Sequence, residues 1–207
     1  MNGGTPIVMV VDDDSGVRNA MRSLLKSVGL QSALYASAQE FLNGYQPTQR
    51  GCLVLDIRMP GMSGLELQQH LNLRGAVVPV IFMSGHGDIP MAVEAMQHGA
   101  FDFLQKPFRD QDLLDRIQRA IAKDGERRQA LGERERIRAH LDALTERERE
   151  VLDLMTQGKQ NKVIAQELGI SPRTIEIHRA RVMDKMDAQS VAELVRMMLD
   201  LRQANGH

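Results

Sequence analysis

Four apolar runs in this chain lead into residues suited to handling a cation or a phosphate. Pro6–Val11 ends at Asp12 and Asp13, and Gly51–Leu55 ends at Asp56. Val77–Met83 ends at Ser84, and Lys106 follows just past Ala100–Leu104. Taken singly, each has a modest explanation: an Asp after a strand caps a turn, a Ser occupies one, and a Lys before Pro107 is a solvated surface residue. Taken together they share a chemistry. Three carboxylates gathered in one place repel and resist ionising. A divalent cation relieves that strain. Mg2+ is the natural choice, because it accepts a few carboxylates, keeps several waters and leaves positions for phosphate oxygens. A lysine ammonium pairs with a phosphoryl oxygen as a point charge, and a serine hydroxyl donates to another. One carboxylate must act as the nucleophile. Asp56 is that residue, standing alone on the middle run and facing the Asp12–Asp13 pair.

The elements that must gather these residues are legible from period and punctuation. After the first apolar run, Ser15–Val28 places Val17, Ala20, Met21, Leu24, Leu25 and Val28 at helical spacing. Leu30–Ala36 reads as a second strand and Ala38–Asn43 as a short helix. A third strand at Gly51–Leu55 precedes a helix from Gly64 to Leu73, and a fourth at Val77–Met83 precedes a helix from Ile89 to His98. Ala100–Leu104 is the fifth strand, and Asp110 opens the next helix, whose buried stripe is Leu113, Leu114, Ile117 and Ile121. Five strand–helix units with near-continuous apolar strands predict an α/β fold: a five-stranded, doubly wound parallel sheet covered on both faces. In such a sheet every strand's carboxyl end points to one rim, and function collects there. Asp12, Asp13, Asp56, Ser84 and Lys106 all fall at that rim. Asp14 is read as the cap of the helix that follows, and Met83, Met91 and Met96 as packing residues.

Composition excludes several classes. The 207 residues fit one large domain or two small ones, with an overall charge of −1. There is no Trp, and aromatic residues make up 3%, which disfavours an aromatic-lined pocket for a large apolar ligand. No apolar run is long enough to span a membrane, and the first residues lack the layout of a signal peptide. The single cysteine, Cys52, cannot form an internal disulfide, which predicts a reducing, cytoplasmic setting.

The first half resembles the receiver domain of two-component response regulators. The residues that carry this are Val-Val-Asp12-Asp13-Asp14, Leu-Asp56-Ile-Arg-Met-Pro60-Gly-Met-Ser-Gly64, Met-Ser84-Gly-His-Gly and Lys106-Pro107-Phe108. The stretch from Ser84 to Met96 is similar to the FixJ branch. The resemblance implies a flavodoxin-like sheet and a role for each residue. Asp56 would accept a phosphoryl group from a histidine kinase. Asp13, Asp56 and the backbone carbonyl of Arg58 would hold Mg2+, with Asp12 assisting. Ser84 and Lys106 would hold the phosphoryl group, and Phe103 would be an aromatic switch that follows Ser84. The Lys106-Pro107 bond would be cis. Two positions depart from the commoner family pattern, Ser84 in place of Thr and Phe103 in place of Tyr; Phe103 cannot hydrogen-bond when it turns outward. His86 and His98 are assigned no ligand role.

Beyond the receiver, residues 125–142 are rich in Glu and Arg and read as a largely helical linker that continues the preceding helix, with Gly125 and Gly132 the places where a break would fall. From Leu144 the pattern changes to short helices. Thr145 and Glu148 form a capping box. Gln160–Leu168, with Val163, Ile164, Ala165 and Leu168 inward, is followed by a tight corner at Gly169, and Ser171-Pro172 opens a third helix. Residues 143–207 therefore predict a small all-α helix-turn-helix domain. With Ile175 set inward, Val182 and Met186 share its face, and Glu176, Ile177, Ala180, Arg181 and Asp184 point outward. The segment from Gln157 to Met186 carries a net charge of +3. Lys162, Arg173, Thr174 and Lys185 flank the outward face as candidate DNA contacts, while Arg179 falls toward the core side. Charge alone fits a solvated interaction module equally well. Here too a resemblance adds: Leu144 to Leu152, Asn161 to Ala165 and Ile170 to His178 are similar to the LuxR-type helix-turn-helix of the same regulators.

The reading is a phosphorylation-controlled transcription activator, not an enzyme beyond handling its own phosphoryl group. It implies a histidine kinase, promoter DNA and RNA polymerase as partners, and a homodimer formed on phosphorylation. Two rivals differ in class. A haloacid-dehalogenase hydrolase would carry a second Asp two residues after the nucleophile, where this chain has Arg58. A lactone-gated regulator would need a ligand-binding first half, which the aromatic-poor strand–helix alternation disfavours.

Overall fold

The fold is described by a computed structural model over residues 4–85 and 89–204. Two compact units divide at Arg128/Gln129. In the first, the elements alternate along the chain: β1 Ile7–Val11, α1 Ser15–Ser27, β2 Gln31–Tyr35, α2 Ala38–Gly44, β3 Gly51–Asp56, α3 Gly64–Leu73, β4 Val80–Ser84, α4 Ile89–Gln97 and β5 Asp102–Gln105, leading into α5 Asp110–Asp142. All pairings are parallel and the sheet order is β2-β1-β3-β4-β5.

The period of two in a strand sorts its side chains onto opposite faces. Met9, Val11, Leu53, Leu55, Val80 and Phe82 meet Phe41 of α2, Leu67 of α3 and Ala95 of α4 on one side. Val8, Val10, Cys52, Val54, Ile81 and Met83 meet Leu25 of α1 and Leu113 and Ile117 of α5 on the other. Both faces are dry, which is why the strands read as unbroken apolar runs. Reversal of the winding between β1 and β3 opens a crevice at their carboxyl ends.

Strand starts differ from the sequence expectation. β4 begins at Val80, because Pro79 has no N–H and offers only its carbonyl, which accepts from the Leu53 N–H at 2.9 Å. β5 begins at Asp102, because the Ala100 N–H turns back to Ala95 O at 3.0 Å and closes α4. Caps follow expectation more closely. Asp14 accepts from the Gly16 and Val17 N–H groups at the start of α1, and Ser63–Glu66 forms a full capping box on α3. One close approach matters to the rim: a Cβ on Gly64 would stand 2.3 Å from the Asp56 carbonyl oxygen, so only glycine lets α3 start against β3 there.

α5 runs unbroken through Gly125 and Gly132 and enters both units. The second unit adds α6 Glu146–Thr156, α7 Asn161–Leu168, α8 Pro172–Lys185 and α9 Val191–Ala204 around a core that includes Ile137, Val151, Ile164, Ile175, Val182 and Leu194. Thr145 and Glu148 form the capping box of α6, and Ser171 caps α8 with Pro172 in its first turn. Gly169 ends α7 in the left-handed conformation at φ 67°. Val163 corrects an inward assignment: it is 42% exposed, because Ile164 and Ala165 take the core side of this short helix.

Candidate functional site

The rim at the carboxyl ends of β1, β3 and β4 gathers three buried polar residues, Asp12, Asp56 and Ser84. Asp12 directly follows β1, and Asp56 and Ser84 end β3 and β4, so backbone register brings them together. Lys106 arrives from beyond β5, across the cis Lys106-Pro107 bond. Its Nζ donates to Asp56 Oδ1 at 2.7 Å and to Asp12 Oδ2 at 3.1 Å. The remaining carboxylate oxygens are fixed by backbone: Asp14 N–H donates to Asp12 Oδ1 at 2.9 Å and Arg58 N–H to Asp56 Oδ2 at 2.8 Å. Lys106 N–H donates to Ser84 O at 2.6 Å, which ties the lysine's backbone to the strand bearing the serine. The Ser84 hydroxyl donates to Gly85 O at 3.2 Å.

These bonds set the charge balance. Burial pushes the Asp56 carboxyl above the usual carboxylate range. The hydrogen bond and charge of Lys106 pull it down, and the Asp12 charge pushes it further up. For Lys106, burial favours the neutral amine, but the two aspartates outweigh it and the net direction is upward. The notch thus holds two crowded carboxylates together through one ammonium.

Asp13 does not join this buried pair; it is exposed one residue further on. Among the described residues no group of three carboxylate, imidazole or thiolate side chains is close enough to cage a metal. The donors match an ion that needs only one or two carboxylates and keeps waters, which is the habit of Mg2+ rather than of Ca2+ or Zn2+. Asp12, Asp56, the nearby Asp13 and the Arg58 backbone carbonyl are hard oxygen donors of that kind. Phe103 lies half-buried on β5, in register with Phe82 of β4. It lines a cleft with Ser84, Ala92 and Val93, next to α4. His86 lies outside the described residues. Arg18, whose Nη1 donates to the Asp12 backbone carbonyl at 2.7 Å, was not foreseen: nothing in local spacing marks an arginine six residues away as a brace for the rim.

In the second unit, α8 carries the candidate interface. Arg173, Glu176, Ile177 and Ala180 line one shallow depression, and Arg181 and Lys162 are exposed. Ile177 is 49% exposed, high for a large apolar side chain on a helix with a buried face. Thr174 is half-buried and its hydroxyl meets that of Ser171 at 2.8 Å, so it serves the helix start. Lys185 is corrected. Its Nζ donates to Glu148 Oε2 at 2.7 Å and to Ala143 O at 3.1 Å, which commits the ammonium to an internal pair with the first turn of α6. Glu148 is buried, and its carboxyl is held down at about 2, first by Lys185 and then by the Thr145 N–H.

A carboxylate-and-lysine notch on a 2-1-3-4-5 parallel sheet, joined to a helix-turn-helix unit, defines the class of phosphoacceptor signalling proteins that act on DNA. The chain belongs to the two-component response regulators: residues 8–118 match the response regulator receiver domain and residues 142–198 match the bacterial regulatory proteins of the luxR family. It is 48% identical to the transcriptional regulatory protein FixJ of Azorhizobium caulinodans, over 93% of this chain and 91% of that one. It is 46% identical to nodulation protein W of Bradyrhizobium diazoefficiens, over 92% and 84%. Among solved structures, the response regulator StyR aligns with a TM-score of 0.87 at 46% identity, over 94% of this chain and 98% of that one. The chain is thus a FixJ-like transcriptional regulator, with a histidine kinase and DNA as the partners its two domains imply, rather than a classical enzyme. No helix among the described residues is long and apolar enough to cross a membrane.

Proposed function

We propose that Asp56 is the residue phosphorylated by the cognate kinase. The observation that carries this is the convergence of Asp12 and Asp56 on Lys106 Nζ beside Ser84. Asp56 is the choice because it ends the central strand and its Oδ1 is held by a group able to let go. In the transfer, an Asp56 carboxylate oxygen attacks phosphorus in line, the phosphorus–nitrogen bond to the kinase histidine breaks, and an acyl phosphate forms. Lys106 moves its ammonium from the carboxylate to a phosphoryl oxygen, and Ser84 turns its hydroxyl from Gly85 O to another. Asp12, Asp13, Asp56 and the Arg58 carbonyl would hold Mg2+, which would supply charge neutralisation of the phosphoryl oxygens. The same residues let the receiver promote its own phosphorylation and dephosphorylation.

Phe103 then moves inward into the cleft that Ser84 borders, and the face formed by α4, β5 and α5 changes shape. Two receivers pair by two-fold symmetry. The pairing places two α8 helices on half-sites of a pseudo-palindrome, through Lys162, Arg173, Glu176, Ile177, Ala180 and Arg181. Bound at a promoter in the cytoplasm, the dimer engages RNA polymerase. The direct test is labelling with acetyl phosphate in Mg2+. Wild-type chain takes up one phosphoryl group and Asp56→Asn takes up none; equal labelling of the two would reject Asp56 as acceptor.

A further inference from the structure

The outward face of α8 is chemically odd for a surface that meets a polyanion. At its centre stand an acid, an isoleucine and an alanine, with cations only around them. Glu176 is exposed and has no hydrogen bond or ion pair among the described residues, although Arg173 lies three residues before it on the same face. Several glutamates of this unit are engaged, Glu148 with Lys185, Glu150 with Arg147, Glu167 with Lys159 and Glu193 with Arg196, whereas Glu146, which lies off the α8 face, is bare like Glu176 among the described residues. A bare carboxylate pressed toward phosphates is repelled and loses water, a cost that stands unless it finds a donor in the groove.

The geometry points to Glu176 as a specificity-determining residue that reads the amino group of a cytosine, with Ile177 and Ala180 against thymine methyls on neighbouring pairs. This rests on the reading of α8 as the groove-binding helix. The choice of base follows from acceptor arithmetic. In the major groove only cytosine and adenine present an amino donor. Adenine sets its N7 acceptor beside that donor, where it opposes the second carboxylate oxygen; cytosine has no acceptor of its own there. Thymine and guanine present acceptors and repel a carboxylate. The methyls of Ile177 and Ala180 carry no hydrogen-bonding capacity, so thymine is the base they distinguish. Affinity then comes from Lys162, Arg173 and Arg181 at the margins, and sequence choice from the uncharged and acidic centre.

The test is selection of duplexes from a pool with randomised positions, using the full-length chain activated with beryllofluoride. Wild type enriches half-sites with a cytosine at one fixed position next to thymine, at about tenfold over other bases. Glu176→Ala loses the preference at that position alone. Glu176→Gln, which keeps the shape and gains a donor, moves the preference to adenine. Retention of the cytosine by the alanine variant, or a uniform gain in affinity for every sequence, overturns the assignment while leaving DNA binding intact. Failure of wild type to select any sequence would remove the groove-binding reading itself, and the assignment with it.

Discussion

At the scale of single residues, charge compensation governs both units. Lys106 is the counter-ion of two buried carboxylates, and the proposed mechanism makes it the counter-ion of the phosphoryl group as well. Lys106→Ala should therefore abolish phosphorylation-dependent transcription while Mg2+ binding is kept or tightened, because the ammonium competes with the metal for the same oxygens. Reporter output unchanged from wild type would contradict that role. Glu148 makes a different prediction. Its carboxyl falls from 4.5 to about 2 on folding, so in that window the unfolded chain holds more protons. The stability it contributes is fully present above 4.5 and drains away as pH falls toward 2. Melting followed by circular dichroism from about pH 6 to about pH 3 should show the second unit weakening through that range. Glu148→Gln should be less stable at neutral pH and flatter across it.

At the scale of elements, the receiver-side half of α5 is held by a buried latch. Asp124 is 1% exposed and accepts from the Gly51 N–H at 2.9 Å and from Arg128 Nε at 2.8 Å. Arg128 also donates to Pro47 O and Gln49 O. The latch brackets Gly125 and explains why a residue costing roughly 1 kcal/mol does not break the helix. Arg128→Ala strands a buried carboxylate and should cost the receiver about 3 kcal/mol, read as a lower urea midpoint; an unchanged midpoint would show that the latch carries no stability. Much of the architecture was legible beforehand. The five parallel strands follow from apolar runs that alternate with helical stretches, and the rim residues from where those runs stop. The caps at Asp14, Thr145 and Ser171 depend only on neighbours within three residues. What stayed hidden depends on distance along the chain. Lys185 finds Glu148 across 37 residues, and Asp124 finds Gly51 across 73. Local spacing cannot report such partners, so Lys185 reads as a candidate phosphate contact and Gly125 as a weak point in a continuing helix.

At the scale of the whole molecule, an acidic notch on a parallel sheet and a helix-turn-helix unit share one chain, and phosphorylation is the event proposed to link them. Beryllofluoride mimics the phosphoryl group without the kinase, so it isolates that link. The most direct measurement is the affinity of the full-length chain for a palindromic duplex, titrated with and without beryllofluoride in Mg2+, with sedimentation of the same samples. Wild type should become dimeric and bind at least about tenfold more tightly when the adduct forms, a difference of about 1.4 kcal/mol, and Asp56→Asn should do neither. Equal affinity and an unchanged sedimentation coefficient in the wild type would contradict the account.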